Sequence, residues 1–166
     1  MIVETMGRYA GWIALEAGIA GAADVILLPE IDHDVARIAE VCRARSARRR
    51  ATLVCIAEGA KPAGGAMTVE HTVAGSPDPI RLGGVAHRLR AQLQPLLASE
   101  VRATVLGHVQ RGGSPTPFDR VLATQYGNEA ARLLRRGEFG RMVTLQGGRL
   151  SSVALASVAG QNRCVP

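Results

Sequence analysis

Residues 102–120 read RATVLGHVQRGGSPTPFDR, and this stretch decides how the chain folds around a ligand. The apolar run 103–106 predicts a short strand. It enters a turn carrying Gly107, His108, Gln110 and Arg111, followed by Gly112–Gly113, Ser-Pro-x-Pro and Asp119–Arg120. Glycines let backbone turn sharply and approach a ligand closely. Arg111 offers a planar fork of donors matched to a phosphate. His108 can donate to a phosphate or a sugar hydroxyl near neutral pH. A strand end, a Gly-rich turn and two such donors within about five residues point to an anionic ligand.

Working outward, strand and helix signals alternate. Residues 1–5, 24–28, 52–57 and 141–146 read as further strands, and the continuous apolar run Val25-Ile26-Leu27-Leu28 fits a strand covered on both faces. Residues 9–22, 34–49, 83–98 and 119–136 read as helices, with apolar residues at spacings of three and four, as in Trp12, Leu15 and Ile19. Residues 59–66 and 75–79 are Gly/Pro-rich loops, and the tail after 146 is low in helix signal. This order predicts an α/β fold with three layers, α/β/α, around a mostly parallel sheet. In such sheets ligands sit beyond the carboxyl ends of the strands. Arg8, Glu58 and His108 each follow a predicted strand, so three strand ends point to one rim. On the residues alone, Met6-Gly7-Arg8 reads either as an anion-binding helix start or as a plain strand–helix connection. Glu58 alone reads as a solvated loop acid.

With 166 residues the chain is long enough for a real core. The net charge of +6 suits phosphorylated ligands, and it also suits nucleic acid. The basic run 43–50 has no aromatic residue interleaved, so it reads as a solvated helix end and nucleic acid is set aside. Cys42, Cys55 and Cys164 lie far apart and form no CxxC pair, which suits a reducing, cytoplasmic setting. Cys55, within an apolar run, reads as a small core residue. No run approaches the roughly 18 apolar residues of a membrane span. His33, His71 and His87 lack metal-ligand spacing and read as surface residues.

The opening stretch resembles the late signature of the 6-phosphofructokinases: an Arg, four residues, Gly-His-x-Gln-Arg-Gly-Gly, then Asp-Arg. Arg102, Gly107, His108, Gln110, Arg111, Gly112, Gly113, Asp119 and Arg120 occupy those positions. Residues 3–12, VETMGRYAGW, resemble the family's Met-Gly-Arg segment, and Ile56-Ala57-Glu58-Gly59-Ala60 is a third match in family order. The resemblance implies a phosphofructokinase-like fold. It implies that Met6, Gly7, Arg8, Glu58, His108 and Arg111 bind fructose 6-phosphate, with Arg102 reaching a neighbouring subunit's site. It also implies Mg2+, ATP or pyrophosphate as phosphoryl donor, and a homo-oligomer, dimer or tetramer.

The family's Gly-rich donor loop, acidic metal-binding segment and Thr-x-Asp-x-Asp-like motif have no counterpart in this sequence. Asp24, Asp32, Asp34, Asp78 and Asp119 lie in other contexts, so neither a catalytic nor a metal-binding residue is assigned. The chain is expected to be the back half of such an enzyme, inactive alone. Residues 1–110 are expected to form its sugar-phosphate lobe, and 111–166 a helix, strand and tail that pack on the other lobe. The alternative is a non-catalytic α/β module that binds a sugar phosphate or another anion in a regulatory or interaction role.

Overall fold

The computed structural model of the chain describes residues 1–75 and 79–166. Asp78 and the middle of the loop expected at 75–79 lie outside the described residues. Four strands, β1 (Ile2–Thr5), β2 (Val25–Leu27), β3 (Val54–Ala57) and β6 (Ala103–Val105), form one sheet in the order β2-β3-β1-β6. Every pairing in it is parallel, with Ile2 opposite both Val54 and Ala103. Side chains alternate across this sheet. Ile2, Val54 and Ile56 share one core with Ile38, Ala39 and Cys42 of α2 (Val35–Ser46) and with Val85, Ala86, Leu89 and Leu93 of α3 (Val85–Leu93). On the other face Ala14 of α1 (Trp12–Ala20) packs with Leu28, Cys55 and Ala57. The three layers are therefore α1, the sheet, and α2 with α3. Burial raises the Cys55 thiol pKa, as befits a core residue.

Helix ends follow local chemistry. The Asp34 carboxylate accepts from the Ala36 amide and starts α2. The helix expected over 83–98 stops at Leu93 and continues as a 3-10 turn, Gln94–Leu96, because Pro95 brings no N–H to an α-helical ladder. α2 ends before Arg49, whose φ of 54° leaves the helical region. α4 (Pro117–Arg135) begins with a reciprocal Thr116–Asp119 capping box and Pro117 in its first turn.

Two hairpins add to the expected elements. β4 (Val69–Thr72) and β5 (Ile80–Leu82) pair antiparallel. β7 (Arg141–Gln146) pairs with β8 (Arg149–Ala154) around Gly147–Gly148, both at positive φ, the conformation a two-residue hairpin turn demands.

The chain divides into two compact units, one of Met1–Arg111 with Asn162–Pro166, the other of Gly112–Gln161. The tail Asn162–Pro166 thus belongs with the first unit, not with the segment 111–166 in which the sequence reading groups it. The reason is hydrogen bonding: the Val165 amide donates to Glu30 (2.9 Å) and the Trp12 indole donates to the Arg163 carbonyl (2.7 Å). Nearly all the buried apolar side chains lie in the first unit; Leu133 is the one in the second among the described residues. His33 is also corrected, being 6% exposed rather than a surface residue. Its amide donates to the Lys61 carbonyl and its carbonyl accepts from Ala63, which draws it under the loop after β3. Among the described residues no helix is long and apolar enough to cross a membrane.

Candidate functional site

β1 leads into α1 on one face of the sheet, whereas the chain after β3 leads to α3 on the other. Adjacent strands whose connections leave to opposite faces open a crevice at their carboxyl ends. Three segments meet there. The Glu58 amide donates to the Thr5 carbonyl (2.9 Å), the Gly59 amide to the Gly7 carbonyl (3.1 Å), and the Gly7 amide to the Glu58 carboxylate (3.2 Å). A Cβ on Gly59 would lie 1.8 Å from the Arg8 carbonyl oxygen, so the two backbones touch with no room for a side chain. The turn after β6, Gly107–Arg111, is fixed to the same place. Gln110 accepts from the Met6 amide at 2.7 Å, and the Leu106 amide donates to the Glu4 carbonyl at 3.0 Å.

These contacts frame a cavity of about 350 Å³ whose walls include Met6, Glu58 and His108, and also Glu70, Gly84 and His87. Gly7 lies directly behind Glu58 through its hydrogen bond. Arg8 donates to the Ile80 carbonyl of β5 at 2.7 Å and lies over the Tyr9 ring. Arg111 ends the Gly107–Arg111 turn and is exposed, outside the cavity lining. Arg102 precedes the amino end of β6, paired with Glu100 at 3.0 Å, so the structure does not bring it to this cavity.

Sequence reasoning missed Glu4, Glu70, Gly83–Gly84 and His87. Glu4 is 2% exposed, and its carboxylate accepts from the Gly84 amide (3.1 Å) and the Ala86 amide (2.8 Å). Burial raises its pKa; the Ala86 and Gly84 amides pull the other way without overcoming that, and the negative charge of Glu58 adds to the rise. The signal available was a charged residue two positions from Ile2, on the same strand face. The Thr5 hydroxyl, also in the cavity wall, is buried with no hydrogen-bond partner. Among the described residues no cluster of three or more His, Cys, Asp or Glu is placed to hold a metal ion. Chemically the cavity offers carboxylate acceptors for hydroxyl groups and the imidazoles of His87 and His108 in its wall.

The phosphofructokinase family model matches residues 1–134. The chain belongs to the phosphofructokinase family. It is 50% identical to the ATP-dependent 6-phosphofructokinase 2 of Clostridium perfringens, covering 99% of this chain and 46% of that protein. It is 43% identical to the pyrophosphate–fructose 6-phosphate 1-phosphotransferase of Amycolatopsis methanolica, covering 100% of this chain and 49% of that protein. Among solved structures it resembles Pichia pastoris phosphofructokinase in the T-state, with a TM-score of 0.73 and 30% identity over 94% of this chain and 17% of that one. The chain therefore spans about half the length of the curated phosphofructokinases it matches.

Proposed function

We propose that this chain is the fructose 6-phosphate-binding part of a 6-phosphofructokinase, an enzyme that moves a phosphoryl group from ATP or pyrophosphate to the sugar's 1-hydroxyl. The observation that carries the reading is the meeting of Met6, Gly7, Glu58 and His108 at the β1–β3 crevice. In this reading Glu58 accepts from sugar hydroxyls, His108 donates to the ligand, and Arg8 and Arg111 supply the cations for its phosphate. Arg102, at the opposite end of β6, serves a second copy of the protein in a homo-oligomer, and the setting is cytoplasmic. Relatives of both donor classes match at similar identity, so ATP and pyrophosphate stand equal.

Phosphoryl transfer needs a cradle for the donor phosphates, a metal and a base for the acceptor hydroxyl. Among the described residues no cluster of three or more His, Cys, Asp or Glu is placed to hold a metal; in this reading the magnesium the family implies is held by the other half of the enzyme, and no step is routed through it. The chain alone is expected to show no turnover with either donor.

The test is calorimetric titration of the purified chain with fructose 6-phosphate and, separately, inorganic phosphate. Saturable, sugar-dependent binding that weakens roughly tenfold or more in Glu58→Gln is expected, because a charge-assisted hydrogen bond is lost. Equal binding of inorganic phosphate, or a Glu58→Gln variant that binds unchanged, would refute the reading.

A further inference from the structure

The helix α3 starts at Gly84, which has φ 77° and no side chain to cap the first turn. Its free amides are served instead from 80 residues away, by the buried Glu4 carboxylate, which takes the amides of Gly84 and Ala86. This is a helix N-cap supplied by a central strand. It matters because Gly84, Leu82 and His87 line the proposed sugar-phosphate cavity, while Glu4 also holds Leu106, two residues before His108, through its backbone carbonyl. One residue thus links the α3 wall, the β1 floor and the turn carrying His108. A carboxylate has acceptor capacity on both oxygens, whereas an amide side chain has only one accepting atom and would turn a donor toward a second N–H.

We infer that Glu4 is a positioning residue of the proposed sugar-phosphate site: from the cavity wall it fixes the Gly83–Gly84 segment and so sets the cavity's shape, each of its carboxylate oxygens being committed to an α3 amide. This rests on the proposed fructose 6-phosphate binding. The charged and titratable groups around Glu4 are Glu58 after β3, Glu70 on β4, His87 on α3 and His108 after β6. Burial raises the Glu4 pKa and the two amides lower it, so a state in which the wall has released these amides while Glu4 stays buried binds the proton more tightly, and the wall loosens as pH falls.

The experiment compares the full chain with its Glu4→Gln and Glu4→Asp variants. One arm measures fructose 6-phosphate affinity against pH. Wild-type affinity should fall on the acid side more than in Glu4→Gln, which should bind about five- to tenfold more weakly at neutral pH and lack that inflection. The ligand's own phosphate titration is common to both measurements and cancels in the comparison. Identical affinities and pH profiles would overturn the inference. The second arm needs no sugar: the Gly84 and Ala86 amide NMR signals should follow Glu4 titration in the wild type, and their hydrogen exchange should accelerate in both variants while Val54–Ala57 stays protected. If the wild type binds no sugar phosphate, the functional reading fails, and this second arm alone decides whether Glu4 latches the wall. Unaltered exchange at Gly84 and Ala86 in a folded variant would sink it.

Discussion

Replacing Gly59 by alanine strikes the contact on which the crevice depends. The new Cβ would lie 1.8 Å from the Arg8 carbonyl oxygen, 2.7 Å from the Arg8 carbonyl carbon and 3.0 Å from the Gly7 oxygen. All three are backbone atoms, so no rotamer change relieves the overlap. To reach ordinary van der Waals contact the segments 7–8 and 58–59 must part by about 1.5 Å. The bonds from Gly59 to Gly7 (3.1 Å) and from Gly7 to Glu58 (3.2 Å) cannot survive such a shift. Two lost hydrogen bonds cost about 1 kcal/mol each, somewhat more for the one to a carboxylate. Overpacking strain adds roughly 1–3 kcal/mol. The sum, about 3–5 kcal/mol, is a large part of a typical domain stability of roughly 5–15 kcal/mol. Trp12, the only tryptophan, lies in the first unit and reports its unfolding by fluorescence. Urea titration followed at Trp12 should show a sharply lowered midpoint for Gly59→Ala. A midpoint within experimental error of wild type would show that the approach of the two backbones is not a packing constraint, and the account of the crevice would fall with it.

Other perturbations give results of different sign. Gly127→Ala, inside α4 with nothing within 4 Å of the added Cβ, should stabilise the helix by about 0.5–1 kcal/mol, seen as a higher melting point by far-UV circular dichroism; a lower one would refute it. Glu30→Gln removes the carboxylate that accepts from Gly11 and Val165 and should cost about 1–3 kcal/mol at pH 7, read by urea unfolding at Trp12. Burial raises the Glu30 pKa, but the amides of Val165 and Gly11 outweigh it and leave the value below 4.5. That contribution is therefore complete above pH 4.5 and fades as pH falls through the depressed value, so wild type and variant should converge in acid. Native-state hydrogen exchange should protect Val54–Ala57, buried throughout, far more than Pro117–Arg135, where Leu133 is the one buried residue; equal protection would show that the second unit has a core of its own.

The parallel sheet was legible because its strands are short, continuous apolar runs such as Val54–Ala57, which only a doubly covered sheet accommodates. The β4–β5 hairpin was not, because Val69–Thr72 is exposed along its whole length and has no alternation to read. The β7–β8 hairpin had a signal that went unused, the Gly147–Gly148 pair between two strand-like runs. At the site, the convergence of Glu58 and His108 was readable because each follows a predicted strand, whereas a ligand-binding role for Met6, Gly7 and Glu58 was implied only by the family resemblance, since Glu58 alone reads as a solvated loop acid. Glu4 was not readable, since a lone acid in Ile-Val-Glu-Thr ordinarily marks the wet face of a strand. Only the arrival of α3 over that face, with two uncapped amides, makes a buried carboxylate tolerable. His33 was misplaced for a related reason. Flanked by Asp32 and Asp34 it reads as solvated, but its backbone pairing with residues 61 and 63 pulls the ring inside.

Strand polarity also constrains Arg102. It precedes β6, and its carbonyl accepts from the Ile2 amide at the start of β1, so it sits at the amino end of the sheet. Met6, Glu58 and His108 sit at the carboxyl end. Arg102 and Gly107 are five residue steps apart along extended chain, about 16 Å at 3.3 Å per residue, which is farther than an arginine side chain extends. Within one copy Arg102 cannot reach the ligand that His108 would hold. Its pairing with exposed Glu100 keeps the guanidinium extended at the surface instead. A role in sugar-phosphate binding for this residue thus requires a second copy of the protein, whereas the roles proposed for Met6, Glu58 and His108 require only the fold of the first unit. The two groups of residues are therefore separable: dilution to monomer should remove any contribution from Arg102 and leave the crevice residues engaged.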